Sequence, residues 1–153
     1  MVPDMRNIVL ISIVLMILVT SIFLTSKNTY AVSEVVFIVN TSVETKSLSK
    51  SDIKEIFLGE KITWDNGNEI VIAVIDDSTI HELFTRTYLK KSAVQFLRYW
   101  RNQVFCGKGS LPKYLKSEKE MLQFVADTKN ALGYISSETS AEGVKVMNII
   151  EKE

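Results

Sequence analysis

The chain has 153 residues, 46% of them hydrophobic and 24% charged, with 18 Lys/Arg against 18 Asp/Glu. That is enough apolar surface to bury a core, with no global excess of positive charge, so a disordered chain and a general nucleic-acid binder are both excluded as starting readings. The single cysteine, Cys106, excludes an internal disulfide, and the core alone must hold the fold.

Ile8 to Leu24 carries no charge over 17 residues, with Arg6 before it and Thr29-Tyr30-Ala31 after it. The apolar run, followed by small residues at the −3 and −1 positions of a signal-peptidase site, marks an export segment. As a helix it spans ~26 Å, just short of a ~30 Å hydrocarbon core, which leaves a cleaved signal and a retained inner-membrane anchor both open. The chain therefore divides into a signal or anchor, 1–31, and a domain, 32–153, in the periplasm or cell envelope.

The 122 residues from Val32 to Glu153 suit one domain, with 16 Lys/Arg against 17 Asp/Glu. Arg86 to Lys116 holds eight of those basic residues and no acidic one, which leaves −9 on the remainder. One face is expected to be positive, either as a plain solvated helix face or as a surface for an anion, a lipid headgroup or an acidic partner.

Within the domain, Val35 to Val39 (VVFIV) reads as a buried strand and Asn40 to Ser47 as a polar loop. Ser49 or Ser51 then caps a helix in which Ile53, Ile56 and Phe57 share a face, and Gly59 stops it. Trp64 is an expected buried anchor, Asp65-Asn66-Gly67-Asn68 turns the chain, and Ile70 to Ile75 is a strand covered on both sides. Asp76-Asp77-Ser78-Thr79 caps the next helix, which carries Leu83, Phe84 and Tyr88. This cap lies at the carboxyl end of the strand, where open α/β sheets usually bind ligands. Ser92 caps a further helix with Phe96, Leu97, Tyr99 and Trp100 on or beside its inner face. Gly107, Gly109 and Pro112 mark a loop before a short strand at Tyr114 and Leu115. Ser117 and Glu120 form a capping-box pattern for a helix through Met121, Leu122, Phe124 and Val125. Gly133-Tyr134-Ile135 and Val144 to Ile150 are the last two strands. The order of elements predicts an α/β fold with four or five strands, whose core holds Ile56, Phe57, Trp64, Phe84, Phe96, Trp100, Phe124 and Tyr134.

Several of these segments resemble the substrate-binding proteins of phosphate ABC transporters. IFLGEKITW, Ile56 to Trp64, is similar to that family's IFLGKxxxW; DDST stands where the family has DGSGT; VADTKNALGYI, Val125 to Ile135, resembles VxxTPGAIGYV. In the family's order the matches cover roughly Val35 to Met147. The resemblance implies a single periplasmic-binding-protein-like lobe with a mixed sheet flanked by helices, preceded by the N-terminal hydrophobic helix. It further implies phosphate or another small oxyanion as ligand, and an ABC permease or another envelope protein as partner. Full-length members close two lobes on their ligand, and the matched segments all resemble the second lobe, so half a cleft is implied. Asp76 and Ser78 carry over by position. Asp77 and Thr79 replace the two glycines, and the arginine that precedes the family's motif has no counterpart among Ala73, Val74 and Ile75.

The expected ligand-binding residues are Asp76, Ser78 and Thr79, at a helix start whose free N–H groups suit an oxyanion. Asp76 and Asp77 oppose a dianion, which favours a protonated one. Ser78, His81 and Asp76 are close in sequence, but that spacing is also what ordinary capping produces, and no oxyanion-hole motif accompanies it. With one His and one Cys, no metal, cofactor or catalytic site is expected, and Cys106 is expected to be buried as a small apolar residue. The alternative to solute binding is an envelope interaction module that keeps the lobe as a scaffold.

Overall fold

In the computed structural model of the protein the described residues are 33–76 and 78–151. The expected export segment, with its choice between cleaved signal and anchor, lies outside them. Among the described residues no helix is long and apolar enough to cross a membrane.

The run VVFIV has no polar side to turn to water, and it forms β1, Val35–Val39, an interior strand of the main sheet. The short strand β2, Ser47–Ser49, runs into α1, Lys50–Phe57. Ser49 is the cap: its Oγ accepts from the Asp52 N–H while the Asp52 carboxylate accepts from the Ser49 N–H. With Lys61 3.0 Å from that carboxylate as well, the Asp52 pKa falls to about 2, chiefly through the Ser49 hydroxyl.

β3, Val71–Ile75, is followed by α2, Thr79–Phe84, which widens into a π turn over Thr85–Leu89 and ends on Lys90 at φ 55°. The π turn brings Tyr88 edge-on to Phe37, with ring centroids 4.8 Å apart. α3, Ala93–Phe105, starts from a complete capping box between Ser92 and Gln95. β4, Lys113–Leu115, α4, Glu118–Asp127, and β5, Ala131–Ser136, complete the crossovers. β3 runs parallel to both β4 and β5, while β1 is antiparallel to β5 and to β6, Lys145–Val146. The order is β4-β3-β5-β1-β6, a mixed five-stranded sheet as expected.

β5 is buried along its whole length, and its alternation separates two packing layers. On one face Tyr134 stacks on Phe84 at 4.3 Å, and Phe57 meets Phe84 at 4.7 Å. On the other face Gly133 lets α4 approach, since a Cβ there would lie 2.3 Å from Met121 Sδ. Gly59, at φ +73°, ends α1 under the Trp100 ring, which leaves no room for a side chain.

The fold differs from the sequence reading in three places. Val144 to Ile150 is not one strand: the ladder breaks at buried Met147, so that β6 pairs with β1 while β7, Asn148–Ile150, pairs in parallel with β2. The loop expected to end at Ser47 already begins β2 there, and it holds buried Val43 and Asn40. Asn40 Nδ2 donates to the Val125 and Ala126 carbonyls, satisfying acceptors at the end of α4. The box expected at Ser117 is only half made. Ser117 Oγ accepts from the Glu120 N–H, but Glu120 accepts instead from the N–H of Lys116, one residue before the cap. Of the eight expected core residues, seven are in the buried cluster, and Phe124 packs against it half-exposed.

Candidate functional site at the carboxyl end of β3

The three expected ligand-binding residues lie together where β3 gives way to α2. Asp76 still holds the sheet through its N–H, which donates to the Leu115 carbonyl at 2.7 Å. Its carboxylate is exposed. Ser78 is extended, at φ −129° and ψ 154°, and its Oγ accepts from the His81 N–H at 3.1 Å. Among the described residues the hydroxyl proton of Ser78 has no acceptor. Thr79, the first residue of α2, is exposed.

His81 fixes this corner from beneath. Its ring is buried, with Nδ1 2.5 Å from the Tyr134 hydroxyl, which in turn accepts from the Ile75 N–H at 3.2 Å. The Tyr134 hydroxyl thus joins the His81 ring to the backbone of β3. Burial holds the His81 pKa below its ordinary value, against the opposing charges of Asp76 and Glu82. Burial also raises the Tyr134 pKa far above its ordinary value. The imidazole therefore ties the first turn of α2 to β3 and β5. It faces Tyr134, and among the described residues the nearby hydroxyl of Ser78 bonds to the backbone of His81.

The neighbouring strand ends are acidic. Glu118 accepts from the Ser136 N–H and from the Thr139 hydroxyl, and Glu120 occupies the same first turn of α4. Tyr114 Oη is buried without a partner among the described residues, and burial followed by the Asp76 charge raises its pKa. No group of three His, Cys, Asp or Glu side chains placed to hold a metal occurs among the described residues.

Two features were missed in the sequence or read otherwise. The pairing of His81 with Tyr134 joins residues 53 apart in sequence; its one local signal is a histidine three residues after a cap, on the inward face. Cys106, expected to be buried, is exposed. It is the C-cap of α3, one position past the last helical turn, where the chain leaves the core. A groove of about 610 Å³ opens elsewhere, between the end of α1, the first residues of β3 and the segment from Lys108 to Tyr114, and none of Asp76, Ser78 or Thr79 lines it.

A mixed sheet with parallel β4-β3-β5, crossover helices, and a capped helix start at a strand's carboxyl end defines one lobe of the periplasmic-binding-protein fold. Solved structures it is similar to include phosphate ABC transporter substrate-binding proteins. An ABC-type phosphate transport receptor from Vibrio cholerae is 14% identical at TM-score 0.59, over 76% of this chain and 46% of that one. A putative phosphate ABC transporter substrate-binding protein with bound phosphate from Clostridium perfringens is 17% identical at 0.60, over 76% and 45%. PstS from Borrelia burgdorferi is 14% identical at 0.59, over 76% and 47%. The chain thus spans less than half the length of these proteins, and at such identities the likeness is one of fold. No family model matches the sequence, and no curated protein matches it.

Proposed function

We propose that the domain is an exported solute-binding-type lobe that presents one wall of a small-oxyanion site at Asp76, Ser78 and Thr79. The observation that carries this reading is the Ser78-capped start of α2 at the carboxyl end of β3, within a lobe that shares its fold with phosphate-binding proteins. The hydroxyls of Ser78 and Thr79 donate to the ligand together with first-turn N–H groups that have no intrahelical acceptor. α2 is only six residues long before its π turn, so its dipole is weak and the direct donors dominate. The Asp76 carboxylate accepts a hydrogen bond from the ligand's own O–H, which selects a protonated oxyanion, phosphate first, over a dianion. An ABC permease or another envelope protein is the partner, and the domain works in the periplasm or envelope, reached through the segment at 1–31.

The scaffold reading is favoured by one observation: Glu118 and Glu120 fill the helix start beside the site with the protein's own carboxylates. Calorimetry separates the two readings. Binding of phosphate, arsenate, sulfate or a small carboxylate, weakened about tenfold by Ser78→Ala, supports the oxyanion wall. No heat with any of the four leaves the interaction module.

A further inference from the structure

Four of the eight basic residues between Arg86 and Lys116 lie where the oxyanion site does not use them. Arg86 pairs with Glu82, and Lys91 lies over the Tyr99 ring at 5.8 Å. Arg98, Arg101, Lys108 and Lys113 are exposed and form no ion pair among the described residues. On α3, Val94, Arg98, Arg101 and Phe105 follow at i, i+4, i+7 and i+11, so they share a sector of about 60°, opposite buried Phe96 and Trp100. Val94, Val104, Phe105 and Leu111 are four of the seven large apolar side chains exposed among the described residues, and Phe105 is 92% exposed.

Exposed apolar groups therefore coincide with unpaired cations, on a stretch that carries no carboxylate from Arg86 to Lys116. We propose that the outward face of α3, continued through the loop to Lys113, docks on anionic lipid bilayers. Arg98, Arg101, Lys108 and Lys113 take the headgroup phosphates, while Phe105 and Leu111 enter the boundary of the acyl region. A bilayer suits this face better than an acidic protein does: a protruding ring finds room anywhere in a lipid interface, whereas a protein must supply a fitted pocket. The chain also has a membrane within reach whenever its uncharged run is in one, because only eight residues lie between Leu24 and Ser33, ~30 Å of extended chain. This inference is independent of the oxyanion site, whose residues it does not involve.

Cys106, exposed and adjacent to Phe105, is the chain's one thiol and permits a direct test on the full-length protein. An environment-sensitive NBD label on Cys106 is followed with vesicles of phosphatidylglycerol mixed equally with phosphatidylcholine, and with vesicles of phosphatidylcholine alone. Whatever the segment at 1–31 does on either membrane, this label reports only the face beside Phe105. A blue shift on the anionic vesicles, absent on the neutral ones and reversed at about 0.5 M salt, is expected. Arg98→Gln, Arg101→Gln and Lys108→Gln should each lower the docked-to-free ratio about fivefold, and Phe105→Ser about tenfold. All four side chains are exposed, so the variants keep the core. An unmoved label on anionic vesicles overturns the proposal, as does an equal shift on both vesicle types. A shift that appears without lipid as protein concentration rises assigns the face to a second copy instead, and a shift with polyglutamate alone assigns it to an acidic protein.

Discussion

At the carboxyl end of β3, β4 and β5, most polar side chains already have a protein partner. Tyr134 holds His81 and the Ile75 N–H, Glu118 holds Ser136 and Thr139, and Ser78 caps His81. On the outward face of α3 the reverse holds, with exposed arginines and a phenylalanine that pair with no carboxylate among the described residues. The first region is hydrogen-bonded and acidic, so an oxyanion proposed there has to bring its own proton. The second is basic, apolar and unconstrained, which suits an extended surface. The two regions thus differ in kind, because one is built around buried hydrogen bonds and the other from what the core leaves outside.

The sharpest contrast is between two phenylalanines. Phe84→Ala, at a fully buried ring packed on Phe37, Phe57 and Tyr134, should cost about 3–5 kcal/mol in denaturant melts. Phe105→Ala should change stability by less than about 0.5 kcal/mol. A large loss at Phe105 would place that ring in the core and erase the distinction.

Tyr134→Phe is expected to cost about 1–3 kcal/mol, because the Ile75 N–H and His81 Nδ1 both lose a buried partner. If its melt matches the wild type, the corner is not held by this hydroxyl.

The same corner predicts a pH dependence. The folded protein keeps His81 neutral below the ordinary histidine value of 6.5, whereas the unfolded chain takes up a proton there. Stability from this group is therefore full above 6.5 and is lost as pH falls from that value toward the depressed folded pKa, with a slope of up to about 1.4 kcal/mol per pH unit. Melts of wild type and His81→Gln between about pH 5.5 and 7 should diverge in slope, and parallel curves would remove His81 as the cause.

Ser78→Ala should have a modest effect on the fold, about 1 kcal/mol for a lost N-cap. A similar loss is expected for Ser92→Ala, the cap of α3, which lies away from the site.

Most of the fold could be read from local pattern, because α1, α3 and α4 each combine a helical period with a cap, and β1 and β3 are unbroken apolar runs. What escaped was set at longer range. The break at Met147 depends on which sheet each half of the last segment meets, and β2 is three residues whose only strand signal is its distant partner β7. At the site, capping chemistry located Asp76, Ser78 and Thr79 at one strand end. The His81–Tyr134 contact is a product of the β1–β5 and β3–β5 registers, and no spacing rule joins residues that far apart. Cys106 was misread because apolar character suggests burial, while its place at the end of α3 decides exposure.

The oxyanion wall is tested most directly by following the backbone amides of Thr79 and Ile80 by NMR during a phosphate titration, at about pH 6 and about pH 8, on either side of the loss of phosphate's second proton. Saturable shifts at these two amides, tighter at the lower pH and weakened about tenfold in Ser78→Ala, are predicted. Amides that stay unmoved at both pH values, or that respond more tightly at the higher one, contradict a site in which the ligand donates its own O–H to the Asp76 carboxylate.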